Sequence, residues 1–247
     1  MLSLSAALLL AGVVLATLAG GMVPLRFEQH SRVFLSFSAG TLVALALLEL
    51  IPEGIAGRTD DIHVLLLVVL ASFLATLLLD RLHVLHPHEH GMDASCPHEE
   101  HEHPPLAMHG ALGLILHSAV DGLALATALR ESVAAGIAVG VALSAHKLAD
   151  GLTTVALVLS HHHRRRQALR MLGGNVAALC IGFAAGLLLP LQEDGLSVLL
   201  LAMAGFFLYL GATDLLPAVT SPRCRKRDVL ATAIGMAAIA AVSLLAH

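Results

Sequence analysis

Residues 117–122 read HSAVDG and residues 146–151 read HKLADG, and each stretch lies inside a long apolar segment. In both stretches a histidine precedes an aspartate by four residues, and a glycine follows directly. Residues four apart share one face of an α-helix. Imidazole nitrogens and carboxylate oxygens are ligands that Zn²⁺ and similar divalent metals accept. Two facing helices would therefore build a metal site with two nitrogen and two oxygen donors. The predicted ligands are His117, Asp121, His146 and Asp150.

The composition is that of a membrane protein. Of the 247 residues, 57% are hydrophobic and 13% are charged, and the mean hydropathy is +0.84. Apolar runs of roughly twenty residues, the length that crosses a bilayer as a helix, recur along the chain. We predict an all-α integral membrane protein that forms a single transmembrane domain over residues 1–247. Its expected partner is the lipid bilayer, and no nucleic acid is expected to bind. The eight predicted spans are residues 2–24, 33–53, 62–83, 107–129, 132–159, 167–190, 195–220 and 228–246.

The first apolar segment is predicted to be a retained helix. It lacks the basic start and the A-x-A cleavage signal of a signal peptide. Three scattered cysteines do not predict a disulfide framework. These are Cys96, Cys180 and Cys224.

Basic residues are distributed unevenly between the two ends of the predicted bundle. Lys and Arg favour the cytoplasmic side of a membrane, and one orientation places nearly all of them there. We therefore predict that both termini lie outside. In this orientation the inner residues are Arg26, Arg32, Arg81, Arg164, Arg165, Arg166, Arg170, Arg223, Arg225, Lys226 and Arg227, and the outer residues are Arg58 and Arg130.

The second and seventh spans share a pattern. Residues 40–54 read GTLVALALLELIPEG and residues 205–219 read GFFLYLGATDLLPAV. In each, a glycine is followed nine residues later by an acid and three residues after that by a proline. The two spans run in opposite directions, and inverted repeats are typical of transporters. We predict a 3+2+3 inverted-repeat arrangement, with chance similarity between two Leu-rich helices as the alternative. The equivalent positions are Gly40, Glu49 and Pro52, and Gly205, Asp214 and Pro217.

Residues 84–106 form one long predicted loop, VLHPHEHGMDASCPHEEHEHPPL. Its composition cannot bury a core, so we expect a disordered, His-rich cytoplasmic segment. One interpretation is a metal buffer or sensor at the inner mouth of a pathway, and the other is a low-complexity linker with no essential role. The candidate loop ligands are His86, His88, His90, Cys96, His98, His101 and His103.

Ionisable side chains inside spans are costly to bury and are expected to face a bundle interior or a water-filled cavity. Lys147 follows His146 directly, so it points about 100° away from that residue around the helix. We expect Lys147 beside the metal site, where it neutralises part of the charge of Asp121 or Asp150. Its protonated ammonium cannot itself be a metal ligand.

Four further polar residues extend the candidate site. Glu49 and Asp214 hold equivalent positions in the repeat and are candidates for lining a pathway or catching an ion at its entrance. Ser118 and Asn175 are small intramembrane polar residues, each either a weak ligand or a helix–helix hydrogen-bonding partner. Small residues also let helix backbones approach closely. The glycines expected to bring the fourth and fifth spans together in this way are Gly122 and Gly151.

These motifs together resemble the ZIP (Zrt-/Irt-like) family of divalent metal transporters. Members typically show H-[NS]-x-x-[DE]-G on span four and H-[EK]-x-x-x-[EDG] on span five, which HSAVDG and HKLADG match. LELIPEG looks like the family's span two, and GFFLYLGATDLLP looks like its span seven. The resemblance covers nearly the whole chain. It implies a 3+2+3 helix arrangement, a His-rich loop between spans three and four, and elevator-type movement of the metal site.

The resemblance also implies roles for the site residues. The two histidines and two aspartates of the motifs would form the primary site. Many members have a second metal site bridged by the same acids, whose remaining ligands would fall at Ser118, Lys147 and Asn175. Lys147 stands where binuclear members have an acid or an amide, so its ammonium would occupy the place of the second metal. We therefore predict a single transport metal.

The sequence as a whole predicts a secondary transporter that imports Zn²⁺ into the cytoplasm, with the direction taken from the resemblance. No GxxxxGK[ST] motif for ATP binding is present. Cd²⁺, Fe²⁺, Mn²⁺ and Co²⁺ are alternative substrates, and the sequence leaves open whether the chain forms a homodimer. Short loops and few aromatic residues favour a bacterial inner membrane.

Two other classes of protein would share some of these features. An intramembrane zinc-dependent hydrolase would use the same ligands with an activated water, and Glu49 would be its base. The chain contains no HExxH motif, however, and the repeat and the His-rich loop would have no role in a hydrolase. A metal efflux carrier of the cation-diffusion type is the second alternative, but such carriers have six spans and a soluble C-terminal domain.

Overall fold

The described part of the chain is helical throughout. The computed structural model describes residues 4–57, 62–84, 104–160, 165–189, 193–220 and 226–246. Within these residues there are eight helices long and apolar enough to cross a membrane, and no β-strand. The predicted all-α class and the predicted number of spans are therefore confirmed. In chain order the helices are α1 (Leu4–Arg26), α2 (31–55), α3 (Ile62–Val84), α4 (Pro104–Glu131), α5 (Val133–Ser160), α6 (Arg165–Leu188), α7 (193–220) and α8 (Lys226–Ala246).

The apolar runs form helices because a bilayer offers no hydrogen-bonding partner to the backbone, so each span must satisfy its own N–H and C=O groups. Leucines on the outer face of α3 are half exposed or more in the isolated chain, as a lipid-facing surface requires. The turn between α4 and α5 is short, and Ser132 caps the start of α5. The backbone N–H of Ala135 donates to Oγ of Ser132 at 3.0 Å.

Two of the helices are not regular along their length. In α2, a π-helical turn at Ala46–Leu50 separates Ser31–Leu45 from Ile51–Ile55. In α7, a π-helical turn at Tyr209–Leu215 separates Glu193–Leu208 from Leu216–Thr220. These turns contain the two acids of the sequence repeat, Glu49 and Asp214. Such turns are frequent at functional sites, and the sequence analysis did not predict them.

The eight helices pack as two groups. In the first, which we call the central group, α1 packs along α5, α4 packs along α6, and α4 and α5 lie side by side. In the second, the flanking group, α2 packs along α8 and α3 packs along α7. The two groups meet mainly where α2 contacts α5.

Within the central group, α1 and α5 approach so closely that their backbones touch. A β-carbon at Gly20 would overlap the carbonyl oxygen of Leu148, and one at Gly151 would overlap the carbonyl oxygen of Thr17. Gly20 lies three residues after Thr17, whose carbonyl Gly151 contacts. Gly151 likewise lies three residues after Leu148, whose carbonyl Gly20 contacts. The contact is therefore reciprocal, and neither glycine can be enlarged without moving a helix.

The same reciprocal contact joins α4 to α6. A β-carbon at Gly122 would overlap the carbonyl oxygen of Leu179, and one at Gly182 would overlap that of Ala119. The expectation that Gly122 and Gly151 bring α4 and α5 together was therefore wrong. Each glycine instead packs against a helix outside the pair, Gly122 against α6 and Gly151 against α1.

We expect Gly182→Ala to separate α4 from α6 and to destabilise the folded protein by about 1–3 kcal/mol, the usual cost of overpacking. Gly173→Ala on the same helix is the matched control, because nothing lies within 4 Å of a β-carbon there. Alanine is the better helix former, so the control should melt at the same temperature or higher. Thermal melting in detergent, followed by circular dichroism, tests this. Equal melting temperatures for the two variants would contradict the packing argument.

Candidate metal site

The four predicted ligands meet in the interior of the bundle. His117 and Asp121 lie on α4, and His146 and Asp150 lie on α5, and all four are buried. One donor atom from each of the four lies within 4.8 Å of all the others. Nε2 of His117 is 3.3 Å from Oδ2 of Asp121 and 3.6 Å from Oδ2 of Asp150. Nε2 of His146 is 3.8 Å from Oδ2 of Asp121.

The histidine nitrogens are free to act as ligands. Within the described residues, none of the four ring nitrogens of His117 and His146 makes a hydrogen bond. Buried polar atoms usually have a partner, so unpaired imidazole nitrogens that face two carboxylates fit a site for a divalent cation. The donor set of two imidazoles and two carboxylates suits borderline metals such as Zn²⁺.

Lys147 lies directly beside these ligands and is fully buried. Its Nζ is 2.5 Å from Oδ2 of Asp121, 2.7 Å from Oδ2 of Asp150 and 2.7 Å from Oγ of Ser118. An ammonium group has three N–H donors, and all three have acceptors here. Lys147 therefore neutralises one of the two negative charges that the aspartates bring into the bundle.

A hydrogen-bonded chain continues from Lys147 away from the histidines. Ser118 Oγ donates to Oδ1 of Asn175, and Nδ2 of Asn175 donates to Oγ of Thr154 at 2.8 Å. The Thr154 hydroxyl donates to the carbonyl of Asp150 at 2.8 Å. The chain ties α4, α5 and α6 together behind the site and brings the candidate residues Ser118 and Asn175 next to Lys147. Thr154 was missed by the sequence analysis, although it lies four residues after Asp150 and so shares its helix face.

Glu49 of α2 reaches the site from the flanking group. Its Oε2 lies 3.0 Å from Nδ1 of His146, the ring nitrogen that faces away from Asp121. The sequence predicts that Glu49 lines a pathway or catches an ion at its entrance, but it does not predict this contact. No sequence pattern could have revealed it, because it depends on how α2 packs against α5.

A cavity of about 280 Å³ extends from the site to one end of the bundle. We call this the cavity end, and it holds the C-terminal ends of α2, α4 and α8 and the N-terminal ends of α5 and α7. Glu49 and Glu53 line the cavity, and Asp121 and His146 lie in its wall. The site can therefore be reached from the cavity end.

On the other side of the site, apolar side chains fill the interior. The Phe207 ring of α7 packs edge-on against the His117 ring, with 5.0 Å between ring centres and 79° between planes. Further along, the side chains of Leu157 and Leu210 close around Gly110. No sequence signal identified Phe207 as a neighbour of the site.

Some predicted residues cannot be placed. The side chain of Asp214 lies outside the described part, although its backbone is in the π-helical turn of α7. The loop ligands also lie outside the described residues, so their prediction as metal ligands stays a prediction. They are His86, His88, His90, Cys96, His98, His101 and His103.

Eight membrane-length helices around a buried group of two histidines and two aspartates define an integral membrane protein with a candidate divalent metal site. The family model described as ZIP zinc transporter matches residues 83–243. The chain therefore belongs to the ZIP family, as its motifs predicted. The family is one of transporters, so the hydrolase alternative is not supported.

Individual relatives of the chain are named as zinc transporters. The chain is 28% identical to the zinc transporter YKE4 of Saccharomyces cerevisiae over 163 residues, which are 61% of this chain and 47% of that protein. It is 30% identical to human zinc transporter ZIP4 over 112 residues, 45% of this chain and 17% of that one. For human zinc transporter ZIP6 the identity is 28% over 103 residues, 41% and 14% of the two chains. The chain therefore matches less than half the length of each of these relatives.

We expect Lys147→Met to leave two buried carboxylates without a counter-charge and to destabilise the metal-free protein by about 3–5 kcal/mol, the usual effect of breaking a buried ion pair. Zn²⁺ would restore a positive charge, so the variant should gain more in melting temperature from Zn²⁺ than the wild type does. Lys226→Met, at an exposed position, is the control and should behave like the wild type. A Lys147→Met protein that melts like the wild type without metal would contradict this assignment.

Proposed function

We propose that the chain is a secondary transporter that imports a divalent transition metal, with Zn²⁺ as the favoured substrate. The observation that carries the proposal is the position of the four ligands, which are buried together at the inner end of a cavity. The names of the relatives as zinc transporters support Zn²⁺ as the substrate.

The ligand chemistry suits a transported ion. Structural zinc sites commonly use cysteine thiolates, whereas this site offers two imidazoles and two carboxylates and no thiolate. Imidazole must be neutral to bind metal, so metal binding competes with protons. Such a site can bind its ion and still release it.

The direction of transport is supported by the distribution of positive charge. Basic residues concentrate at the end of the bundle opposite to the cavity end, and that distribution marks the opposite end as cytoplasmic. The cavity then opens to the outside, so an ion would enter from there. Both termini lie outside in this orientation, and the short loops favour a bacterial inner membrane.

The surroundings of Lys147 support a single transport metal. Its ammonium uses all three donors on Asp121, Asp150 and Ser118. A second cation bridged by the same aspartates would displace these contacts or place two positive charges side by side. Lys147 therefore takes the place that a second metal would need.

The helix packing supports an inverted repeat of three helices on each side of a central pair. In such a repeat α1 corresponds to α6, α2 to α7, α3 to α8 and α4 to α5. The pair α1–α5 then corresponds to α4–α6, the pair α2–α8 corresponds to α3–α7, and the pair α4–α5 corresponds to itself. Details agree with this correspondence. Gly40 of α2 packs against the carbonyl of Thr232 on α8, and its repeat equivalent Gly205 of α7 packs against that of Val69 on α3.

The two helix groups suit an elevator-type movement. All four ligands lie on α4 and α5, which are joined to α6 and α1 by backbone contact. We propose that the central group moves against the flanking group and carries the site from the cavity end to the opposite end. The His-rich loop between α3 and α4 would buffer metal at the cytoplasmic exit.

We expect His117→Ala to reduce Zn²⁺ uptake into proteoliposomes to the background of empty liposomes, because it removes one of four ligands. His63→Ala is the matched control. His63 is exposed near the start of α3, and its replacement should leave uptake unchanged. Uptake by His117→Ala at the wild-type rate would defeat the proposal, as would the absence of flux in the wild type.

Elemental analysis of purified protein tests the single-metal proposal. The His and Cys residues of the 84–106 loop are replaced by alanine in both proteins that are compared, so that only the core site is counted. We expect one zinc per chain for the wild-type core and two for Lys147→Glu, because the added carboxylate replaces the ammonium in the second position. Two zinc ions in the wild-type core would exclude the role given to Lys147.

A further inference from the structure

The repeat relates contacts as well as residues. Positions in α2 correspond to positions in α7 that are 165 higher, and positions in α4 correspond to positions in α5 that are 29 higher. The contact between Glu49 and His146 therefore has a counterpart, which is a contact between Asp214 and His117. The first of these contacts is formed in this arrangement of the helices, and Nδ1 of His117 makes no hydrogen bond within the described residues.

The α7 residue observed beside His117 is Phe207. Phe207 and Asp214 are seven residues apart on α7, which is close to two helical turns, and most of this interval is the π-helical turn Tyr209–Leu215. The repeat equivalent of Phe207 is Leu42, which stands seven residues before Glu49 on α2. If the central group shifted by two turns against the flanking group, His117 would lie beside Asp214 and His146 would lie beside Leu42.

The two histidines differ in the way that this change of partners requires. Nδ1 of His146 lies 3.0 Å from the Glu49 carboxylate, while its Nε2 faces Asp121. Nδ1 of both rings is buried without a hydrogen bond in the described residues. The described carboxylates near His117 face its Nε2, however, which leaves its Nδ1 without one. This unpaired Nδ1 is the atom that a second carboxylate would contact.

We infer that Glu49 and Asp214 are alternating positioning residues for the metal site. Glu49 holds His146 while the site is reached from the cavity end, and Asp214 holds His117 while the site is reached from the opposite end. The inference rests on the proposed function, since it assigns these roles to the two sides of one transport cycle.

The chemistry of metal-bound histidine gives each contact its effect. A carboxylate that accepts a hydrogen bond from one ring nitrogen orients the ring and leaves the other nitrogen to the metal. Losing such a partner typically weakens metal binding about 10- to 100-fold. Because each carboxylate stands on the flanking group and each histidine on the central group, either contact is made in one arrangement and broken in the other.

A simpler account is that Glu49 only attracts cations into the cavity by its charge. Glu53 lines the same cavity one turn further along α2. Glu53→Gln is therefore the control that separates general attraction from the positioning of His146. Glutamine and asparagine keep the size of the side chains and remove the charge.

The test measures Zn²⁺ transport from each side in right-side-out and inside-out membrane vesicles. The full-length proteins compared are the wild type, Glu49→Gln, Asp214→Asn and Glu53→Gln, with rates normalised to the amount of folded protein. We expect Glu49→Gln to raise the half-saturating Zn²⁺ concentration about tenfold or more from the outer side, with little change from the inner side. Asp214→Asn should raise the half-saturating Zn²⁺ concentration from the inner side, with little change from the outer side. Glu53→Gln should change the half-saturating concentration from either side by no more than about twofold.

Several results would overturn the inference while leaving transport itself intact. If only charge mattered, Glu49→Gln and Glu53→Gln would raise the half-saturating Zn²⁺ concentration from the outer side equally. Glu49→Gln and Asp214→Asn would act on the same side if the partners did not alternate. If either variant fails to accumulate, Glu49→Asp or Asp214→Glu is judged by the same one-sided shift. A wild-type protein without flux from either side would instead defeat the proposed function.

Discussion

The buried ion pairs of Lys147 with Asp121 and Asp150 are the interaction on which the site depends. Two carboxylates placed together in an apolar bundle repel each other and lose their hydration, and neither effect is tolerable without a counter-charge. The ammonium supplies that charge and also fixes the position of one oxygen from each aspartate. Those same oxygens face the site histidines. The lysine thus stabilises the close approach of the candidate ligands, and the chain through Ser118 and Asn175 holds it there.

The glycine contacts explain how two helices can carry the ligands without collapsing onto each other. Backbone contact through Gly122 joins α4 to α6, and backbone contact through Gly151 joins α5 to α1. The space between α4 and α5 is then left for larger polar side chains. The close backbone contacts thus lie on the outer faces of the α4–α5 pair, and the polar side chains of the candidate site lie on its inner faces. Four helices held in this way are suited to move as one body.

Local patterns predicted much of this protein, and long-range packing supplied the rest. The length of the apolar runs gave eight spans, because a bilayer fixes how long a helix must be. The spacing of His117 and Asp121 placed both on one helix face, and the angular position of Lys147 placed it beside them. The partner of Gly122 on α6 and the contact of Phe207 with His117 were not predictable in this way. They depend on the order in which helices pack, and no periodicity within one helix encodes that order.

The charges of three side chains also fix how the membrane voltage acts on the proposed cycle. With two ionised aspartates and one protonated lysine, the site carries one negative charge when empty and one positive charge with a divalent ion. An inside-negative potential favours inward movement of the loaded site and outward return of the empty one. Each crossing gains up to about 2.3 kcal/mol per 100 mV. Without Lys147 the loaded site would be neutral, and the potential would act on the return step alone. The lysine thus divides the electrical driving force between the two halves of the cycle.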